Sequence, residues 1–368
     1  MSTKLLLRVT GAVLVVAVSG LAGCASHSPK TTRPSEPTTG SSAASWVEDA
    51  VTFPVGDMTV YGTFRHPAGQ GRAVPGALLI AGSGPTDRNG DSAVMPGQID
   101  TLRNLANALS DNGVASLRYD KLGTGQTGLG PYASDPTKLD MAVFQDEATA
   151  ALKFLAGHSG IDGDRLMVIG HSEGALYALL LATAAPGTAP PVRALGLLEP
   201  QSRRILDHVS LQAHAQADAA VKAGQLSAAQ AAESTAAIDR AIAEFRTTGN
   251  VPPDEPAGLK PVINPANARF LQQEDAIDPA DVAAKLPHGM PVLVACSDAD
   301  TQISCEDVDH LVSGLTNAGT KTEYVHLTGV SHVLKEDSSR SAGNYTQPLP
   351  FSTQLVAALA SFVKQNLG

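Results

Sequence analysis

Several residue patterns that would place this chain in a familiar class are missing. Only three cysteines occur in 368 residues, and none stands in the close Cys/His spacing of a zinc site. No metal and no cofactor is therefore indicated. Lysine and arginine total 26 against 36 aspartates and glutamates, for a net charge of −10. No long basic run is present, which excludes the electrostatic footprint of a nucleic-acid binder. The apolar run from Val9 to Leu21 falls short of the roughly 20 residues that span a bilayer comfortably. What is there is a chain with 43% hydrophobic and 17% charged residues. That is enough to bury a sizeable core, as one large domain or one domain with an insertion.

The first residues read as an address. Lys4 and Arg8 precede the short apolar run, which ends in Leu21-Ala22-Gly23-Cys24. This tetrapeptide resembles the lipobox of bacterial lipoproteins. The resemblance implies that residues 1–23 are a signal peptide and that Cys24 is acylated to become the mature N-terminus. The other reading is an ordinary signal peptide with an incidental cysteine. Residues 24–45 are rich in Ser, Thr, Pro and Gly, with too little apolar surface to fold, and read as a flexible tether. The expected location is the bacterial cell envelope, on the extracytoplasmic side, with the membrane as partner through the lipid. Cys296 and Cys305 would then lie in a disulfide-permissive compartment. A bridge between them is expected over two free buried thiols.

The strongest local signal is Leu166-Met167-Val168-Ile169-Gly170-His171-Ser172-Glu173-Gly174-Ala175-Leu176. A short apolar run reads as a buried strand, and the Ala- and Leu-rich segment to Ala185 reads as a helix. Strand, Gly-x-Ser-x-Gly and helix together predict a nucleophile elbow. A serine hydroxyl attacks only if a base reaches it, so it must project from a sharp turn. The turn crowds strand against helix, and Gly170 and Gly174 remove the side chains that would collide.

The rest of the chain alternates. Trp46–Phe53 and Met58–Arg65 predict an antiparallel hairpin at a sheet edge. Strands are expected at Ala77–Ala81, Val114–Tyr119, Ala194–Leu198, Pro291–Ala295 and Thr322–Leu327, with amphipathic helices between them. Residues 201–285 interrupt this alternation with Ala- and Gln-rich helical sequence, read as a helical cap inserted over the site rather than as ordinary sheet-flanking helices. The hydrolase core would then be 46–200 and 286–368. The fold class expected is α/β: a mostly parallel eight-stranded sheet with helices on both faces and an inserted cap.

A serine nucleophile needs a base and an acid that orients it, in the chain order Ser, Asp or Glu, His for this architecture. His332 follows the last strand and is the expected base. His171 is assigned to packing; His310 and His326 lie within a helix and a strand. Asp298 and Asp300 both follow the Pro291–Ala295 strand, and position favours Asp300. Glu199, at an earlier strand end, is a distant third and reads instead as a solvated charge. The oxyanion hole would use the backbone N–H of Glu173 and of Ser83, with Gly82 and Gly84 allowing close approach. Asp87, Arg88 and Asp91 are expected to shape that loop.

Five segments carry a family resemblance: Gly82-Ser83-Gly84-Pro85-Thr86-Asp87-Arg88-Asn89-Gly90, Arg118-Tyr119-Asp120-Lys121-Leu122-Gly123-Thr124-Gly125, Gly170-His171-Ser172-Glu173-Gly174, Asp298-Ala299-Asp300-Thr301-Gln302-Ile303, and Gly329-Val330-Ser331-His332. From Ala77 onward the chain resembles the α/β-hydrolase superfamily, in particular the bacterial acyl hydrolases, or esterases, grouped near the serine aminopeptidases. The resemblance also places the acid at Asp300. Leu122 stands where that group usually has arginine, and Ala81-Gly82 where the wider superfamily often has His-Gly. The function implied is a tethered serine esterase acting on a small-molecule acyl substrate. The alternatives are a peptidase or amidase with the same triad, for which Glu233 and Asp239 could bind a free amine, and a non-catalytic envelope binding protein. Oligomeric state and acyl preference are left open.

Overall fold

A computed structural model describes residues 45–69 and 71–368. The candidate signal peptide, Cys24 and the tether up to residue 44 lie outside the described residues. The expected hairpin forms from β1 (Trp46–Val55) and β2 (Met58–Pro67), which run antiparallel. The other strands are β3 (Val74–Ile80), β4 (Ala115–Tyr119), β5 (Ile161–His171), β6 (Ala194–Leu198), β7 (Pro291–Ser297) and the more polar β8 (Lys321–Leu327). One eight-stranded sheet results, in the order β1-β2-β4-β3-β5-β6-β7-β8. Strand β2 meets β4 antiparallel, and every later pairing is parallel. The expected α/β class is the observed one.

Parallel strands need crossovers, and the crossovers cover both faces. Successive strand residues point to opposite faces, so each inner strand feeds two cores. Leu78 and Ile80 of β3 pack with Leu166 and Val168 of β5 against α2 (Met141–Ala156), α3 (Gly174–Ala182) and α8 (Cys305–Ala318). Ala77, Leu79, Met167 and Ile169 face α1 (Thr101–Asp111) and α9 (Thr353–Asn366) instead. Phe362 of α9 is 1% exposed; truncation of such a side chain to alanine costs about 3–5 kcal/mol. Helix α8 starts where Ser304 accepts from the Asp307 amide at 3.1 Å, and stops at Gly319, φ 68°.

Between β6 and β7 lie α4 (Ile205–Lys222), α5 (Ala228–Thr248), α6 (Ala268–Asp275) and α7 (Pro279–Ala283). The first three share a small core of their own, built on Ile205, Leu206, Ile242, Phe245, Val262 and Leu271. Arg246 ties them together, reaching Asp207 and Asp275 at 2.7 Å each. Helix α7 belongs elsewhere: Val282 and Ala283 pack into the core on the α8 side of the sheet. Among the described residues no helix is long and apolar enough to cross a membrane.

Candidate active site

Strand β5 ends in a tight turn at Ser172, whose φ of 55° is unusual for a residue with a side chain. The turn brings backbones so close that a Cβ on Gly170 would strike the Gly174 peptide, and one on Gly174 would strike the carbonyls of Ile80 and Ala81. Both glycines are therefore required by space, as the motif predicts. Helix α3 begins immediately after, so its positive N-terminal end faces Ser172.

His332 sits on the loop after β8, 4% exposed, and its Nδ1–H donates to Asp300 Oδ2 at 2.6 Å. Asp300 is also 4% exposed, and its Oδ1 accepts from the Gln302 and Ile303 amides at 2.6 and 3.1 Å. Burial works against a carboxylate here. The adjacent His332 imidazole and these hydrogen bonds outweigh it and hold the Asp300 pKa below its ordinary value. With Nδ1 carrying the proton, Nε2 of a neutral ring is left as a base. Ser172 and His332 line the same cavity of about 330 Å³. Among the described residues Ser172 Oγ makes no hydrogen bond. It is Asp300, not Asp298, that the imidazole bonds; Asp298 accepts from the Gly329 amide at 2.7 Å, anchoring the start of the histidine loop.

His171 proves more than filler. Its Nε2–H donates to the His332 carbonyl at 2.7 Å. Burial, and then the neighbouring His332, push its pKa down to about 3, so it is a neutral strut.

Loop 81–91 lies against the nucleophile: a Cβ on Gly82 would stand 3.0 Å from Ser172 Cβ. Among the described residues, neither the Ser83 nor the Glu173 backbone N–H donates to any protein acceptor. Two free donors beside the hydroxyl are what a developing oxyanion needs. The loop's acidic residues do shape it. Asp87 accepts from the Asn89 and Asp91 amides, Asp91 from those of Ile99 and Asp100, and Arg88 holds Asp120 with two side-chain bonds.

Glu199 corrects the sequence reading. It is not solvated but 0% exposed, with φ 44°. Among the described residues neither of its carboxyl oxygens has a hydrogen-bond partner, yet it lies against Asp300. Burial, and then the Asp300 charge, raise its pKa well above the ordinary value. Both effects favour the uncharged form of Glu199 beside the Asp300 carboxylate. Nothing local marks this residue; its burial comes from β7 and the loop that follows.

A second cavity of about 70 Å³ adjoins the first at Ser83 and runs under α6. Its walls are apolar, including Leu139, Phe144 and Phe270, but Glu173, Glu274 and Lys121 also line it. Glu274 is 2% exposed, and among the described residues its Oε1 is unpartnered. Burial, and then the Glu173 charge, push its pKa well up. Sequence reasoning did not find it. Glu233 is exposed, and Asp239 is engaged by Ser210 and His214; neither lines these cavities. On either side of the segment that carries Asp300, Cys296 and Cys305 are joined by a disulfide with Cα atoms 5.3 Å apart.

No protein-family model and no curated protein matches this chain. Solved structures do. An esterase from Pyrococcus furiosus superposes with TM-score 0.54 at 14% identity, over 88% of this chain and 92% of that one. Est1E from Butyrivibrio proteoclasticus, in a structure with bound ferulic acid, gives 0.53 at 15% over 86% and 99%. A dienelactone hydrolase-like promiscuous phosphotriesterase from metagenomic libraries gives 0.50 at 16% over 89% and 100%. At such identities the likeness concerns the fold. The chain has the α/β-hydrolase fold.

Proposed function

We propose that the protein is a serine hydrolase that cleaves carboxylic esters through an acyl-enzyme on Ser172. The observation that carries this reading is convergence: Ser172 from the β5 turn and the His332–Asp300 pair share one cavity, beside two unengaged backbone donors. His332 Nε2 takes the Ser172 proton as Oγ attacks the ester carbonyl, and Asp300 stabilises the imidazolium that forms. The N–H groups of Ser83 and Glu173, with the α3 N-terminus, hold the tetrahedral oxyanion. His332 then protonates the departing alcohol, and water repeats the sequence on the acyl-enzyme. Ser172 and His332 share the cavity lining, and catalytic contacts of this kind often tighten only around substrate. Within residues 201–285, α4 to α6 act as the cap, while α7 packs on the sheet: Gln212 of α4 lines the cavity and donates to the Gln302 carbonyl at 2.7 Å.

The fold shared with esterases supports this class of chemistry. The disulfide supports an oxidising, extracytoplasmic location, consistent with lipidation at Cys24. A fluorophosphonate probe should label Ser172 in the folded protein, and Ser172→Ala should abolish both labelling and p-nitrophenyl ester turnover. A folded, unlabelled wild type sinks the reading.

One observation favours a second reading, amide or peptide hydrolysis of substrates with a free amine. Glu274, whose buried Oε1 has no partner among the described residues, lines the cavity beside Ser83. Aminoacyl amides assayed beside the ester panel separate the two.

A further inference from the structure

The two candidate oxyanion donors lie on different segments, the loop after β3 and the turn after β5. Nothing in either segment alone sets their separation. One side chain from a third segment touches both. Lys121, just past β4, donates through Nζ to the Gly82 carbonyl at 2.5 Å and lies 3.4 Å from Glu173 Oε2. In a trans peptide the C=O and the following N–H point in opposite directions. Holding the Gly82 carbonyl outward therefore turns the Ser83 N–H inward, toward Ser172. Holding the Glu173 carboxylate restrains the residue whose own N–H is the other donor.

We infer that Lys121 is the positioning residue of the oxyanion hole, a clamp that fixes the spacing of its two donors. This rests on the ester-hydrolase reading above. Lys121 is suited to the task. Its side chain is only 13% exposed and that of Glu173 only 8%, so water competes little for either contact. Its backbone is locked as well. The preceding residue, Asp120, is held by Arg88, which belongs to the oxyanion loop itself. The Thr124 hydroxyl donates to the Lys121 carbonyl at 2.7 Å. The loops after β3 and β4 are thus tied at Arg88–Asp120, at Arg88–Gln126 and at Gly82–Lys121. The clamp acts by geometry rather than as a bare field, because Glu173 offsets the ammonium charge.

The test compares Lys121→Met, Lys121→Arg and Glu173→Gln with wild type on p-nitrophenyl butyrate. Inhibition by n-butylboronic acid, whose tetrahedral adduct places an oxygen in the oxyanion hole, gives a second readout. A donor misplaced by about 1 Å costs on the order of 100-fold, so Lys121→Met should lower kcat by about 10- to 100-fold. KM should change little, and the boronate should weaken by a similar factor. Lys121→Arg, which can still reach both acceptors, should recover most of the loss. A merely structural lysine would lower the melting temperature and leave kcat and boronate affinity in place; that result overturns the inference. So does a kcat loss without loss of boronate affinity. If Lys121→Met does not fold, Glu173→Gln carries the decision. It keeps both N–H donors but weakens one arm of the clamp, and kcat and boronate affinity should fall together by several-fold; wild-type values overturn the inference. If the wild type neither turns over ester nor labels at Ser172, the hydrolase reading falls and the clamp with it. An active wild type matched by Lys121→Met removes the clamp alone.

Discussion

The Nε2–H of His171 donates to the backbone carbonyl of His332 at 2.7 Å, so the residue before the candidate nucleophile holds the loop that carries the candidate base. The contact is buried, and a protonated His171 would be costly there. Replacing His171 with phenylalanine keeps a ring of similar size but leaves the His332 carbonyl unpaired. Stability should fall by about 1–3 kcal/mol, read by urea denaturation. A loosened base should lower kcat by about 10-fold. Unchanged kcat would mean the loop is held by its other contacts.

Asp300 and Asp298 should separate cleanly. Asp300→Asn removes the acceptor that fixes the His332 tautomer and should cost on the order of 10³–10⁴ in kcat. Asp298→Asn only weakens the bond to the Gly329 amide and should stay within about 10-fold. The reverse ranking in a steady-state assay would place the acid at Asp298.

Glu199 lies against Asp300, and its raised pKa favours the protonated, uncharged form there. Glu199→Gln retains a donor and should keep activity within a few-fold. Glu199→Leu leaves Asp300 without it and should lower kcat by about 10-fold. Equal activity of the two variants would remove Glu199 from the account.

Glu147 gives a prediction in pH. It is 0% exposed, its Oε2 accepts from the Leu122 amide at 3.1 Å, and burial pushes its pKa to about 8. In the unfolded chain it ionises near its ordinary value of 4.5. A raised folded pKa means the native state binds the extra proton between these values. Its contribution to stability is therefore full below pH 4.5 and is lost as pH rises toward 8. Glu147→Gln cannot titrate, so its stability relative to wild type should increase by about 1.4 kcal/mol per pH unit across that window. Urea melts of both proteins at several pH values check the slope; a flat difference refutes it.

Much of the fold and the core of the site was legible because their signals are local. Alternation of apolar runs and helical stripes yields the sheet, and the two glycines around Ser172 announce a crowded turn. Chain order and strand ends then point to Asp300 and His332. What was not legible depends on segments far apart in the chain. Glu199 looks like a strand-end charge until β7 and its loop bury it. Glu274 looks like an ordinary helical acid until α6 lies over the second cavity. The hold of Lys121 on Gly82 joins positions 39 residues apart. Helix α7 sits inside an interval with cap-like composition and still packs on the sheet, because Val282 and Ala283 find the larger core.

The Cys296–Cys305 bridge spans the loop that carries Asp300. Closing so short a loop is worth roughly 2–3 kcal/mol in the chain-entropy model. Protein prepared with these thiols reduced would carry Ser172, His332 and Asp300 intact, yet its carboxylate would ride on a slackened segment. Preparations of identical composition would then differ in turnover according to their oxidation history, and thiol titration belongs beside every rate that is measured.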